Sequence, residues 1–375
     1  MKKQKTWVEV SKDNLIHNIQ TLKGLVGDRV FCPAVKANAY GHGIVEVAPY
    51  VLTGGADWLA VDALFEAKKL KESGIESPIY IMGYVLNNEL KEAVKEGFRF
   101  VVYNKETIIE LGKISRDCNI HLKIETGNNR QGIALGDLPE IVDLLSKNPC
   151  INVEGVATHF ADIEDTTDHS YAEEQIENFK KGIEILENGG VRPAYAHCAN
   201  TAAVILFPHT YLNFVRAGIG IYGMWPSNET YVSAVKANKA DIELRPALTW
   251  KTIIAQIKNL KEGEYIGYGR TYRTTHDTRL AVLPVGYYDG YDRGLSNNAF
   301  VIIHGKRAPV RGRVCMNMIM VDVTHIPEAK VEDEVILLGK DGGEKVSAEL
   351  MGSWANTINY EITTRINERI PRVIV

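Results

Sequence analysis

Lys36 has the most conspicuous chemical potential in this sequence. It follows an apolar run from Val30 to Val35 and precedes small residues and glycines, Ala37-Asn38-Ala39-Tyr40-Gly41-His42-Gly43. Such a run reads as a buried strand ending in a loop, with the lysine at its C-terminal lip. An ammonium there must be paired, lose its charge or be covalently modified, because burying it bare is costly. One reading is a lysine that snorkels to solvent; the other is an amine that forms an imine with an aldehyde cofactor. A second group is Ile120-His121-Leu122-Lys123-Ile124-Glu125, which strictly alternates apolar and polar and is followed by Arg130. Inside a barrel, His121, Lys123 and Glu125 would point inward; on an edge strand they would be solvated charges. Ala199-Asn200-Thr201 and Ala217-Gly218-Ile219-Gly220 offer a hydroxyl and glycine amides, which a phosphate dianion needs. Glycine turns at strand ends are, taken alone, usually just turns. Arg216, within an apolar segment, reads alone as an ordinary ion-pair residue.

These residues need elements to position them. Trp7-Val8-Glu9-Val10 alternates like a strand, and Ser11 precedes a helix with Leu15, Ile19, Leu22 and Val26 on one face. Strands are predicted at 30–35, 58–62, 79–82, 98–102, 120–125, 153–159, 195–198 and 213–216. Helical patterns lie between most of them, such as Ile44, Val47, Ala48, Val51 and Leu52. Eight strands in β/α alternation predict an α/β architecture, a (β/α)8 TIM-like barrel over 11–240. On that count Thr201 follows strand seven and Gly218 follows strand eight, where barrels often bind phosphate. From about Glu243 the rhythm changes to strands at 248–257, 280–285, 300–304, 319–323 and 335–338, with one helix at 347–359. Residues 1–10 and 241–375 are therefore predicted to form a second, mostly β domain.

Composition narrows the function classes. A net charge of −4 over 375 residues gives no bulk attraction to nucleic acid or acidic membranes. No apolar run is long enough to span a bilayer, and the basic N-terminus lacks the apolar core of a signal peptide. Five scattered cysteines without a Cys-x-x-Cys pair argue for reduced thiols and against a zinc cluster, so the expected compartment is the cytoplasm and no metal is expected.

The string Ala34-Val35-Lys36-Ala37-Asn38-Ala39-Tyr40-Gly41-His42-Gly43 closely resembles the pyridoxal-phosphate lysine motif of the alanine racemase family, and the likeness spans nearly the whole chain. His197-Cys198-Ala199-Asn200-Thr201 and Arg216-Ala217-Gly218-Ile219 resemble that family's phosphate loops, with Thr201 for serine and Ala217 for proline. The resemblance implies that Asn200, Thr201, Gly218, Ile219, Tyr40 and Tyr360 bind the phosphate end of pyridoxal 5'-phosphate. Arg216 would face the pyridine nitrogen, and as a permanent donor would leave it unprotonated. Glu125-Thr126-Gly127-Asn128-Asn129-Arg130 resembles Asp-Thr-Gly-Met-x-Arg. There the arginine approaches the cofactor's phenolic oxygen and substrate, and a lysine matching Lys123, often carbamylated, orients it. Tyr265-Ile266-Gly267-Tyr268-Gly269-Arg270-Thr271-Tyr272 gives Tyr268 the position of the catalytic tyrosine. A free phenol has a pKa near ~10, so making it basic near neutrality costs roughly 4 kcal/mol. The family enlists a histidine and the same arginine, matching His159 and Arg216. Tyr287 and Met316 match residues bordering the substrate, and Asn317 replaces the usual aspartate.

The leading expectation is thus a racemase for a small amino acid, most of all L-alanine to D-alanine for cell-wall peptidoglycan. Lys36 and the partner subunit's Tyr268 would act as two bases in a homodimer with shared sites. Alternatives are a broader or serine racemase, a decarboxylase of the same fold type and a non-catalytic pyridoxal-phosphate carrier. The decarboxylase segment Cys-Glu is missing, since Met316 follows Cys315. A carrier would need no second domain.

Overall fold

The computed structural model describes residues 4–239 and 241–375; the expected domain boundary at residue 240 lies outside them. The chain forms two compact units. One comprises Asp13–Ala37 and Val47–Pro246. The other comprises the described residues up to Lys12 together with Asn38–Glu46 and Ala247–Val375.

The first unit contains the eight expected strands, at Val30–Pro33, Leu59–Val61, Ile79–Ile81, Arg99–Val102, Cys118–Lys123, Ile151–Ala157, Tyr195–His197 and Phe214–Ala217. All their ladders are parallel, running from second to seventh and from first to eighth. The Ala34↔Ala60 bridge links first to second, and Arg216 N–H donates to the Ala199 carbonyl at 3.4 Å between eighth and seventh. These are short strands, because at their C-terminal ends the chain leaves the ladder for loops. Glu125 lies beyond its strand, contrary to expectation: its carboxylate accepts Gly127 N–H at 2.6 Å, and Gly127 turns the chain at φ +141°. The expected apolar face of the first helix is real, since Leu15, Ile19, Leu22 and Val26 of Lys12–Val26 are fully buried.

The second unit is built mainly of antiparallel sheets. Thr6–Val10 lies between Leu248–Ile253 and Arg372–Ile374, and the same sheet continues through Glu334–Asp341 to Phe300–Ile303 and Lys306–Pro309. Three expectations fail here. The single strand at 248–257 breaks, because Ile254 N–H turns to Asp333 while Ala255 N–H turns to Val282, and Gln256–Leu260 joins a different sheet. The single helix at 347–359 is two, Ala348–Ala355 and Asn359–Thr364, stopped by Asn356 in the left-handed region. Lys306–Pro309, Glu344–Val346 and Arg372–Ile374 are strands that the sequence reading missed, because charged residues interrupt their apolar signal.

The backbone after Lys36 was also unforeseen. Ala37, Asn38, Ala39 and Tyr40 all have φ between +52° and +54°, a full left-handed turn with no glycine in it. Each such residue costs roughly 1–2 kcal/mol. In the first unit, the buried Glu66 carboxylate accepts Ala37 N–H at 2.6 Å and Asp62 N–H at 2.8 Å. In the second, the Asn38 side chain accepts Ile44 N–H at 3.0 Å and its carbonyl accepts Gly43 N–H at 2.9 Å. Gly41 follows at φ +86°, where a Cβ would lie 2.0 Å from the Thr363 carbonyl oxygen.

Candidate active site

In the barrel unit, the candidate residues lie at or just beyond the C-terminal ends of the strands. Lys36 follows the first strand and is paired: its Nζ donates to Asp62 Oδ1 at 3.2 Å, just past the second strand. Lys123 ends the fifth strand and donates to Gln131 Oε1 at 3.0 Å, and the neighbouring Arg130 is exposed. Burial, aided by the nearby charges of Arg216, Arg130 and Lys36, brings the Lys123 amine down to about 7. Asn128, in place of the family's methionine, donates to the His159 and Phe160 carbonyls at 3.3 and 3.0 Å and ties the Arg130 loop to the loop after the sixth strand.

Arg216 lies on the eighth strand with its guanidinium turned inward. Its Nε donates to His197 Nδ1 at 2.9 Å, and its Nη2 donates to the Thr158 and Cys198 carbonyls at 2.7 and 3.2 Å. Those bonds leave Nη1 for another acceptor. His159 Nδ1 is buried without a hydrogen-bond partner, and burial together with the surrounding cations keeps this imidazole neutral, well below its usual pKa. Asn200 caps Thr201–Leu206 by accepting Ala203 N–H at 3.0 Å, and its amide donates to Glu164 at 3.3 Å. Thr201 Oγ1 accepts Gly218 N–H at 2.9 Å, which brings the two expected phosphate loops together and leaves the hydroxyl proton to donate. Ile219 opens the short 3-10 turn Ile219–Tyr222, and the Tyr222 hydroxyl donates to the Ala34 carbonyl at 2.8 Å, two residues before Lys36.

The other expected residues belong to the strand-rich unit. Tyr40 and Tyr360 are ring neighbours, with centroids 6.1 Å apart. Tyr287 and Met316 are brought together by backbone bonds, Tyr287 N–H to Cys315 and Tyr288 N–H to Met316, both 3.0 Å. Gly286 permits that approach, since a Cβ would meet the Cys315 carbonyl at 2.2 Å. Met316, Asn317 and Tyr287 are exposed. Tyr268 sits between Gly267 and Gly269, at φ +69° and +68°, and is 72 % exposed.

Sequence reasoning missed Asp62, Glu66 and Gln131 as partners in this site; their sole signal was polarity beside a strand end. His197 was noticed only as part of a motif. Among the described residues, no group of three or more His, Cys, Asp or Glu side chains could hold a metal ion, and no helix is long and apolar enough to cross a membrane.

The donor set suits an anionic cofactor. Lys36, Lys123, Arg130 and Arg216 all act electrostatically on half-buried His159. An anion would relieve their mutual repulsion, and the Thr201 hydroxyl and Arg216 Nη1 can donate to it.

Comparison with known proteins agrees with this geometry. Residues 10–226 match the family described as alanine racemase, N-terminal domain, and residues 247–374 match alanine racemase, C-terminal domain. The alanine racemase of Clostridium perfringens is 40 % identical over 98 % of this chain and 94 % of its own, and that of Desulforamulus reducens is 40 % identical over the full length of both. Among solved structures, the alanine racemase from Bacillus anthracis with bound L-Ala-P superposes with a TM-score of 0.93 at 35 % identity, covering 100 % of this chain and 95 % of that one. The alanine racemase of Clostridium difficile also gives 0.93, at 36 % identity, covering 100 % and 97 %.

Proposed function

Because the chain belongs to the alanine racemase family, we propose that it interconverts L- and D-alanine with pyridoxal 5'-phosphate carried on Lys36. The observation that carries this reading is the gathering of four cationic side chains around half-buried His159, whose Nδ1 is buried without a partner, beside two paired phosphate-competent loops.

In this reading Lys36 Nζ leaves Asp62 to hold the cofactor covalently. Thr201, the Ile219 amide and the Tyr40 and Tyr360 hydroxyls would take its phosphate, with Gly218 N–H holding Thr201 in place, while Asn200 keeps the loop in shape. Arg216 Nη1 donates to the ring nitrogen and Arg130 to the phenolic oxygen. When bound, the cofactor withdraws electrons from the substrate's Cα, which makes the proton there removable. Arg216 cannot give up its own proton to the ring, so that withdrawal stays moderate and the proton is soon returned. Lys36, once its amine is free, would move the proton on one face. The partner subunit's Tyr268 moves it on the other, with His159 and Arg216 biasing the phenol. This chain's exposed Tyr268 would serve its partner likewise in a homodimer. Tyr287, Met316 and Asn317 border the substrate side chain and favour a small one. The D-alanine formed would supply cell-wall peptidoglycan.

Chiral analysis of products from a panel of L-amino acids tests the reading. Alanine is expected to racemise fastest. Serine should follow more slowly, since one extra group in a small pocket discriminates by only ~1–3 kcal/mol. Higher catalytic efficiency on lysine or arginine, or decarboxylated product, would overturn it.

A further inference from the structure

A line of side chains, hydrogen-bonded as far as His121 and reaching Glu154 by a longer charge contact, with His121 Nε2 lacking a hydrogen-bond partner, leads from Arg216 into the barrel, away from the strand ends that carry Lys36. Arg216 Nε–H lies 2.9 Å from His197 Nδ1; His197 Nε2 lies 2.7 Å from His121 Nδ1; His121 Nε2 lies 3.7 Å from Glu154 Oε2; and Arg99 Nε donates to that same oxygen at 3.1 Å. Both imidazoles are fully buried. We propose that this line is a one-way donor relay that fixes the orientation of Arg216, and that His197, His121 and Glu154 are positioning residues for the reaction. The proposal rests on the functional reading above only in what Arg216 does at its far end.

The polarity follows from elementary donor rules. A guanidinium can only donate, so His197 Nδ1 must be bare. Burial keeps this imidazole neutral, so its one proton sits on Nε2 and points at His121 Nδ1. His121 must therefore carry its own proton on Nε2, facing the Glu154 carboxylate. Burial keeps His121 neutral as well. Burial also opposes the Glu154 charge, but the nearby His121 and the bonded Arg99 guanidinium hold its carboxyl below the usual range. No link can be reversed while Arg216 remains the first donor.

The surroundings are built for this line. Tyr80 stacks on His121 at 4.6 Å and Phe214 lies 4.6 Å from His197, excluding water from the imidazoles. The ladder between strands five and six shifts register between Ile120 and His121, which sets His121 opposite Gly155. A Cβ on Gly155 would lie 2.6 Å from His121 Nδ1, so a side chain there would push the ring out of line. The hydrogen-bond partners of Arg216 are a neutral imidazole and two carbonyls. The carboxylate that answers its buried charge through the relay is Glu154, on the sixth strand.

The test begins on the apoprotein labelled with 15N-histidine, where long-range 1H–15N correlations report each tautomer without any variant or activity. Both His121 and His197 are expected as Nε2–H with a bare Nδ1; Nδ1–H on either overturns the relay. In the cofactor-loaded enzyme, Glu154→Leu should shift the cofactor's absorption maximum and lower kcat by up to about 10²-fold with KM little changed. Glu154→Gln, which restores an acceptor without the charge, should fall between. A folded Glu154→Leu enzyme with unaltered spectrum and kcat also overturns it. If the wild-type enzyme racemised nothing, the functional reading would fall while the tautomers still decided the relay.

Discussion

Arg216 donates three hydrogen bonds to the barrel's own interior, whereas Tyr268, in the strand-rich unit, is 72 % exposed and makes no hydrogen bond among the described residues through its hydroxyl. The contrast extends to their neighbours. In the barrel unit, Lys36, Lys123, Thr201 and Gly218 are each held by a named partner. In the strand-rich unit, Tyr287 and Met316 are anchored by backbone alone and present their side chains outward. One region is held in place by bonds within its own chain. The other presents its groups outward, as the proposed site shared between two subunits requires.

The sharpest way to break this contrast is at the pre-organised end. Lys36→Ala should lose racemisation by more than about 10⁴-fold, because base and covalent anchor disappear together. In the wild type, borohydride reduction and peptide mapping should find a pyridoxyl adduct on Lys36; an adduct on another lysine would contradict the assignment. At the exposed end, Tyr268→Phe should slow proton removal from L-alanine by about 10²–10⁴-fold and from D-alanine much less. Equal, small losses of α-proton exchange in both directions would remove Tyr268 from its role.

A smaller effect tests what holds the left-handed turn. Glu66→Ala leaves the Ala37 and Asp62 N–H groups without their acceptor and should lower unfolding free energy by about 3 kcal/mol. A change within about 0.5 kcal/mol in denaturant titration would mean that the turn is held elsewhere.

A separate test concerns pH dependence. Burial brings Lys123 to about 7 in the folded chain, against its ordinary value of 10.5 when unfolded. Between these values the unfolded chain binds more protons, so this group makes stability rise with pH through that window, and its penalty is complete below about 7. Lys123→Met should flatten that rise; parallel stability profiles for the two proteins from pH 7 to 10 would refute the burial argument.

Much of the barrel was legible in sequence because each strand is a short apolar run flanked by turn residues, and Lys36 stood out as a lysine directly following such a run. The left-handed turn was not legible. Ala37, Ala39 and Tyr40 carry no preference for positive φ, and the contacts that impose it come from Glu66, 29 residues from Ala37. The His121–His197 bond joins residues 76 apart in sequence, and pattern within one strand cannot report a partner on another. The break after Ile253 escaped for the same reason: an unbroken apolar pattern does not tell which sheet its two halves will join.

The most direct test of a site drawn from both regions is to mix two inactive proteins, Lys36→Ala and Tyr268→Ala, under conditions where native mass spectrometry demonstrates subunit exchange. In a mixed dimer one site collects both defects and the other collects none. Random pairing makes about half the dimers mixed, so recovery should approach roughly a quarter of wild-type activity by two-fold symmetry. Exchange without any recovery would mean that each site is built within one chain, and would contradict the account.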